Sequence, residues 1–318
     1  MDNKNGSMLR IAILGAGAMG SIFGAELTSK GVDTLLIDVD QPLIKRLNDS
    51  GVVIRRAGKE RQVRVRATED PSSEAPVDVL LVFVKCWATR DAMALARPLL
   101  GSKTFVLSLQ NGWGNGEEIA RQVAENRILL GVTYHSGTVI SPGIVDHTAV
   151  GTSYVGPHRG DEMTVAGAIA ETFTMGGLPT EATPKIVDRI WRKLMLNVAA
   201  NPVAALTGLR SGQLMQEPHL EQMMKTLARE AVAVACASGH AFDADETINY
   251  IRESLAAAGS ATASMRQDVV AGRPTEIDVI TGAIISAAQR HGIDVPLNRA
   301  IYALIKGYEH GRDAGKSA

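Results

Sequence analysis

A short apolar run, Leu9–Leu14, leads into Gly15-Ala16-Gly17-Ala18-Met19-Gly20 and then into a helical pattern, Ser21–Lys30, that stops at Gly31. Strand, glycine turn and helix in that order are what a dinucleotide-binding turn requires. Gly15 permits the tight turn, Gly17 lets a pyrophosphate approach the backbone, and Gly20 lets helix and strand pack closely. The helix N-terminus offers free N–H groups and partial positive charge to the phosphates. The plain alternative is a glycine-rich turn that binds nothing. A second strand, Thr34–Ile37, ends at Asp38. A carboxylate there accepts hydrogen bonds from the ribose hydroxyls of NAD and repels the extra phosphate of NADP. NAD(H) is therefore favoured, with NADP(H) as the alternative if Asp40, Lys45 or Arg46 resets the choice.

Further apolar runs follow at Val77–Val84, Thr104–Leu109 and Ile128–Val132. Runs apolar on both faces and separated by helices predict a parallel sheet covered on both sides. Residues 137–156, with Pro142-Gly143, read as hairpins that extend this sheet antiparallel. Arg61–Arg66 reads as an exposed strand. Beyond Thr183 the strand signals stop. Ile186, Ile190, Leu194 and Val198 recur every fourth residue, which predicts an amphipathic helix. Asn201, just before Pro202, is expected to end or kink it. Glu217–Ser238, a segment starting at Asp243 with Glu246 three residues on, and Thr275–His291 predict more helices. The fold class is α/β: an N-terminal Rossmann-type doubly wound sheet with a C-terminal all-helical domain. The expected boundaries are a disordered leader at 1–7, a dinucleotide-binding domain at 8–181 and a helical substrate domain at 182–318.

A chain of 318 residues suits two domains. The net charge of -1 gives no electrostatic reason to bind nucleic acid or a membrane surface. No apolar run approaches the ~18 residues that span a bilayer. Two cysteines, Cys86 and Cys236, cannot staple so long a chain, which points to a reduced, cytoplasmic setting. His135 and His147 lack the spacing of a metal site, so no metal is expected. The apolar stretch Val279–Ala288 suits a homodimer interface as well as a core.

Four segments, in this order and spacing, carry a resemblance: GAGAMG at 15–20, VKCW at 84–87, QNGWG at 110–114 and WRKLMLN at 191–197. NPVAAL at 201–206 and the run from Ser264 to Asp278 complete it. The chain resembles the ketopantoate reductase (2-dehydropantoate 2-reductase) family over nearly its whole length. The resemblance implies an NAD(P)H-dependent oxidoreductase that reduces a small 2-keto acid, ketopantoate to D-pantoate, as in pantothenate biosynthesis.

Such a reaction puts negative charge on the ketone oxygen, which needs a proton. The resemblance makes Lys193 the general acid and Glu276 its partner, a carboxylate that also meets the substrate hydroxyl. Glu276 is alternatively a first-turn residue answering the helix dipole. By the same resemblance, Asn197 holds substrate oxygens, Ser264 the substrate carboxylate, and Asn111 lies near nicotinamide and substrate. Asn201 is either a substrate contact or a local cap. Lys85, at the end of its strand, lies where such sheets bind ligands. Cys86 and Trp87 are expected to be packing residues. Ala261 departs from the pattern, standing where an asparagine adds a substrate contact in some members; this leaves the acyl substituent open.

Asp38 and Ala261 also fit a related NAD-dependent D-2-hydroxyacid dehydrogenase acting on another branched or aromatic 2-keto acid. Dehydrogenases of the 6-phosphogluconate and opine types share the fold but leave the WRKLMLN helix unexplained. A reading of another class is a non-catalytic dinucleotide sensor.

Overall fold

A computed structural model describes residues 9–316. The expected leader at 1–7 lies outside the described residues. The chain divides into two compact units. The first runs to Gln110 and resumes at Asn115–Val187; the second joins Asn111–Gly114 to the chain from Asp188 onward. The division comes after Val187 rather than after 181, because Thr180–Ala182 still adds a strand to the first unit. Residues 111–114, expected in the first domain, belong to the second unit.

The strands, in chain order, are β1 (Arg10–Leu14), β2 (Asp33–Ile37), β3 (Val52–Arg56), β4 (Lys59–Val63), β5 (Arg66–Thr68), β6 (Val79–Val82), β7 (Phe105–Ser108), β8 (Ile128–Thr133), β9 (Ser136–Ser141), β10 (Ile144–Ala149), β11 (Ser153–Pro157) and β12 (Thr180–Ala182). Eight of them form one sheet in the order β12-β11-β8-β7-β6-β1-β2-β5. The strands from β8 to β5 run parallel, and β11 joins β8 antiparallel. β1 lies between β2 and β6, with Ile11, Ala12, Ile13 and Leu14 all buried. Two-sided burial is why these strands read as unbroken apolar runs. Each such isoleucine or leucine contributes about 1.5–3 kcal/mol through burial.

The hairpin expectation holds only in part. β9 and β10 pair antiparallel, yet they belong to a separate four-stranded sheet in the order β4-β3-β10-β9. Of the residues from 137 to 156, those of β11 extend the main sheet. β10 binds β3 instead, in parallel register from Ile144↔Val53 to Asp146↔Arg55, and buries Val145 beside Val52 and Ile54 in the core. Local alternation cannot tell which distant strand a hairpin joins. β4 is exposed from Lys59 to Gln62, and its Arg61 pairs with Glu26.

The first unit's helices are α1 (Ala18–Ser29), α2 (Gln41–Ser50), α3 (Thr89–Leu95), α4 (Asn115–Ala120) and α5 (Met163–Met175). Then come α6 (Ile186–Thr207), α7 (Pro218–Ala237), α8 (Ala244–Ala258), α9 (Ser264–Val270), α10 (Ile277–His291) and α11 (Pro296–Lys316). α8 is capped by Asp243, whose carboxylate accepts the Asp245 and Glu246 N–H groups at 2.9 and 2.8 Å. α10 stops at Gly292, with φ at 66°. α6 does not end at Asn201; it runs through Pro202 to Thr207. The proline removes one backbone hydrogen bond, at a cost of about 3 kcal/mol. Ala199, Ala200, Val203 and Ala204 on either side are buried in one apolar cluster with α7 and α8, which offsets that loss. Among the described residues, no helix is long and apolar enough to cross a membrane.

Candidate active site

The first unit builds a cradle around the glycine turn. Gly15 has φ at +96°, and a Cβ there would stand 2.9 Å from the Val84 nitrogen. A Cβ on Gly20 would lie 1.8 Å from the Gly15 oxygen, so the turn closes on its own helix only with glycine at both ends. A Cβ on Gly17 would meet nothing within 4 Å. That side is open to a ligand. Gly17 is the N-cap of α1, without a side-chain cap and with no acidic residue in the first turn. The N–H groups of Ala18 and Met19 and the helix dipole therefore suit a diphosphate.

Asp38 follows β2 and is tied to the backbone around it. Its Oδ2 accepts the Ala16 N–H at 2.8 Å, and its Oδ1 accepts the Asp40 N–H at 3.2 Å. A carboxylate has about four acceptor positions, so room is left for hydroxyls. Asp40 caps α2 through the Leu43 N–H, and Lys45 pairs with Asp49 at 2.8 Å. Two of the residues that were alternatives to Asp38 are thus engaged in their own helix.

Lys85 is half-buried and precedes the short turn Cys86–Ala88. Gln110, not singled out in the sequence, pins this turn: its Nε2 donates to the Val84 oxygen at 2.7 Å and to Thr89 Oγ1 at 2.8 Å. Trp87 is 57% exposed, which corrects its expected role in packing. The turn carries it outward, away from the apolar neighbours its side chain would need.

His135 and His147 also come together, Nδ1 to Nε2 at 3.0 Å, both buried. Their sequence spacing hides this because they meet across the β9–β10 hairpin. Among the described residues, no group of three or more His, Cys, Asp or Glu is placed to hold a metal. Burial pulls the His135 ring down to about 4, with His147 and Arg56 acting in the same direction.

The second unit assembles the polar residues of the C-terminal half with Asn111. Lys193 Nζ donates to Asn111 Oδ1 at 2.9 Å. Burial lowers the Lys193 amine to about 8, while the nearby Glu276 carboxylate pulls the other way. Glu276 is itself buried and occupies the N-cap position of α10, without capping the helix through its side chain. Asn197 and Asn201 are buried one and two turns beyond Lys193 on α6, the spacing that shares a helix face. Asn201 is interior to the helix, so it is not a terminal cap. Ser264 is half-buried and opens α9. Nearby, Asp268 is 1% exposed and pairs with Arg273 at 3.0 Å, a structural ion pair that the sequence did not announce.

A buried amine lowered to about 8, bonded to an amide oxygen and within the field of a carboxylate, suits proton transfer to a carbonyl oxygen. Residues 11–160 match the family model "Ketopantoate reductase PanE/ApbA", and residues 185–309 match "Ketopantoate reductase PanE/ApbA C terminal". A 2-dehydropantoate 2-reductase of Archaeoglobus fulgidus is 33% identical over 306 residues, covering 95% of this chain and 98% of that protein. One of Halobacterium salinarum is 31% identical over 300 residues, covering 94% and 98%. Among solved structures, D-mandelate dehydrogenase with NADH and anilino(oxo)acetate superposes with TM-score 0.92 at 26% identity, covering 96% of this chain and 100% of that one. The 2-dehydropantoate 2-reductase of Geobacter metallireducens gives 0.87 at 28%, covering 94% and 99%. The chain belongs to the ketopantoate reductase family.

Proposed function

We propose that this protein reduces the ketone of a small 2-keto acid, with ketopantoate as the first substrate and D-pantoate as the product. The observation that carries the reading is Lys193: a buried amine near 8, bonded to Asn111 Oδ1 and coupled to Glu276. When bound, a nicotinamide dinucleotide would supply the hydride; the Ala18 and Met19 N–H groups would hold its diphosphate and Asp38 its ribose, with Lys85 beside it. Lys193 gives its proton to the ketone oxygen as charge develops there. Asn111 and Glu276 orient the amine, Asn197 and Asn201 hold substrate oxygens, and Ser264 takes the carboxylate.

Asp38 makes NADH the preferred cofactor, since a second phosphate on the ribose would meet its negative charge. That preference, Ala261 and the likeness to a D-mandelate dehydrogenase solved with NADH favour one further reading. It is a D-2-hydroxyacid dehydrogenase whose keto acid carries another branched or aromatic substituent.

Replacing the amine separates catalysis from binding. Lys193→Ala is expected to lower kcat at least 100-fold, the contribution of a positioned general acid, while the dissociation constant for NADH stays unchanged. Turnover in Lys193→Ala equal to that of the parent would refute its role. A protein that binds NADH yet turns over no 2-keto acid even with Lys193 intact would be a dinucleotide sensor.

A further inference from the structure

The segment that carries Asn111 is fastened by contacts outside the hydrogen bond to Lys193. Gly112 has φ at +87°, and a Cβ there would stand 2.5 Å from the Val279 oxygen of α10. The Trp113 N–H donates to the same oxygen at 2.8 Å. The Trp113 ring lies on Trp191, with centroids 5.8 Å apart. Trp191 is 2% exposed and stands two residues before Lys193 on α6. His240 also stacks on Trp191, at 5.3 Å, and its Nδ1 is held 2.9 Å from Asp188. Val279 lies in the first turn of α10, just after Glu276. Trp113 therefore touches both elements that supply Lys193 and Glu276.

Glycines flank Trp113 on both sides, each with positive φ. Glycine backbones are the costliest to order. Trp113, through its ring and its N–H, therefore supplies anchoring that its glycine neighbours have no side chains to give. We propose that Trp113 is a positioning residue for the proton donor: it fixes where Asn111 Oδ1 meets the Lys193 amine. This rests on the reading of Lys193 as the general acid.

The test is a double-mutant cycle on the full chain, read as kcat and KM with NADH and ketopantoate. Trp113→Ala alone should lower kcat roughly 10- to 100-fold, the cost of displacing a reacting group by about 1 Å, with KM for NADH unchanged. Trp113→Phe, which keeps an aromatic face for Trp191, should recover most of that loss. In an Asn111→Ala background, Trp113→Ala should cost nothing further, because residues acting through one contact are not additive. Penalties that multiply would show that Trp113 acts independently of Asn111 and would overturn the proposal. If Trp113→Ala does not fold, Gly112→Ala serves instead: its Cβ pushes the segment off Val279 with the ring intact, and the same suppression by Asn111→Ala is expected. Lys193→Ala in the same series separates the failures. Full turnover in Lys193→Ala removes the underlying reading, whereas an inactive Lys193→Ala beside an unimpaired Trp113→Ala removes the positioning role alone.

Discussion

At the scale of single residues, the proposed function rests on three side chains, Lys193, Glu276 and Asp38. Lys193 must be protonated to serve reduction. With its amine near 8, kcat/KM for the keto acid should fall as pH rises through about 8, and oxidation of the hydroxy acid should rise through the same value. The Glu276 carboxylate works against burial and raises the amine. Glu276→Gln removes that attraction, so both limbs should move to lower pH. Profiles measured in both directions check this; limbs unmoved by Glu276→Gln would contradict it. Asp38 combines a charge with a tether to Ala16. Asp38→Asn removes the charge and keeps an acceptor, so discrimination between NADH and NADPH should shrink about tenfold or more, as losing roughly 1.4 kcal/mol of repulsion implies. Asp38→Ala also frees the Ala16 N–H and should weaken both cofactors. Cofactor titrations distinguish the two, and unchanged discrimination in Asp38→Asn would count against the role of its charge.

At the scale of elements, the two histidines meet where the chain passes from the large sheet to the small one. His135 follows β8 of the large sheet, and His147 lies on β10 of the small one. Phe23 of α1 lies against the His135 ring, and Arg56, Glu26 and Asp146 are the charged groups that act on His147. Since the folded His135 value is near 4 against an ordinary 6.5, the unfolded chain binds more protons between those limits. Stability should therefore fall as pH drops from about 6.5 to about 4, by on the order of 3 kcal/mol, and level off for this group below that. A thermal melt series should show this slope, and His135→Gln should flatten it. An equal slope in the variant would place the acid sensitivity elsewhere. The sequence showed each histidine but not their meeting, which depends on a β9–β10 pairing that goes to β3 rather than to the main sheet. Pro202 is the converse case. A local rule predicts an end or a kink there, and the helix runs on with buried residues on both sides of the proline.

At the scale of the whole chain, what was legible followed from local chemistry. The strand–glycine turn–helix of Leu9–Lys30, the two-sided apolar runs and the four-residue spacing of α6 each state their geometry without help from distant residues. The mixed sheet-and-helix class followed from them, whereas the family came from a resemblance carried by particular segments such as GAGAMG at 15–20 and WRKLMLN at 191–197. What stayed hidden were meetings across long sequence distances: Asn111 with Lys193, Trp113 with Trp191, and Gln110 with the Val84 turn. No periodicity encodes such pairs, because each depends on how completed elements pack. The outward-facing Trp87 was hidden for the same reason.

Reduction of a 2-keto acid by this protein can be read directly as the loss of NADH and NADPH absorbance with ketopantoate and with a panel of branched and aromatic 2-keto acids. The prediction is turnover that is faster with NADH, with ketopantoate as the best substrate. A better substrate elsewhere in the panel would select the D-2-hydroxyacid dehydrogenase reading. No turnover with any keto acid and either cofactor would contradict the claim.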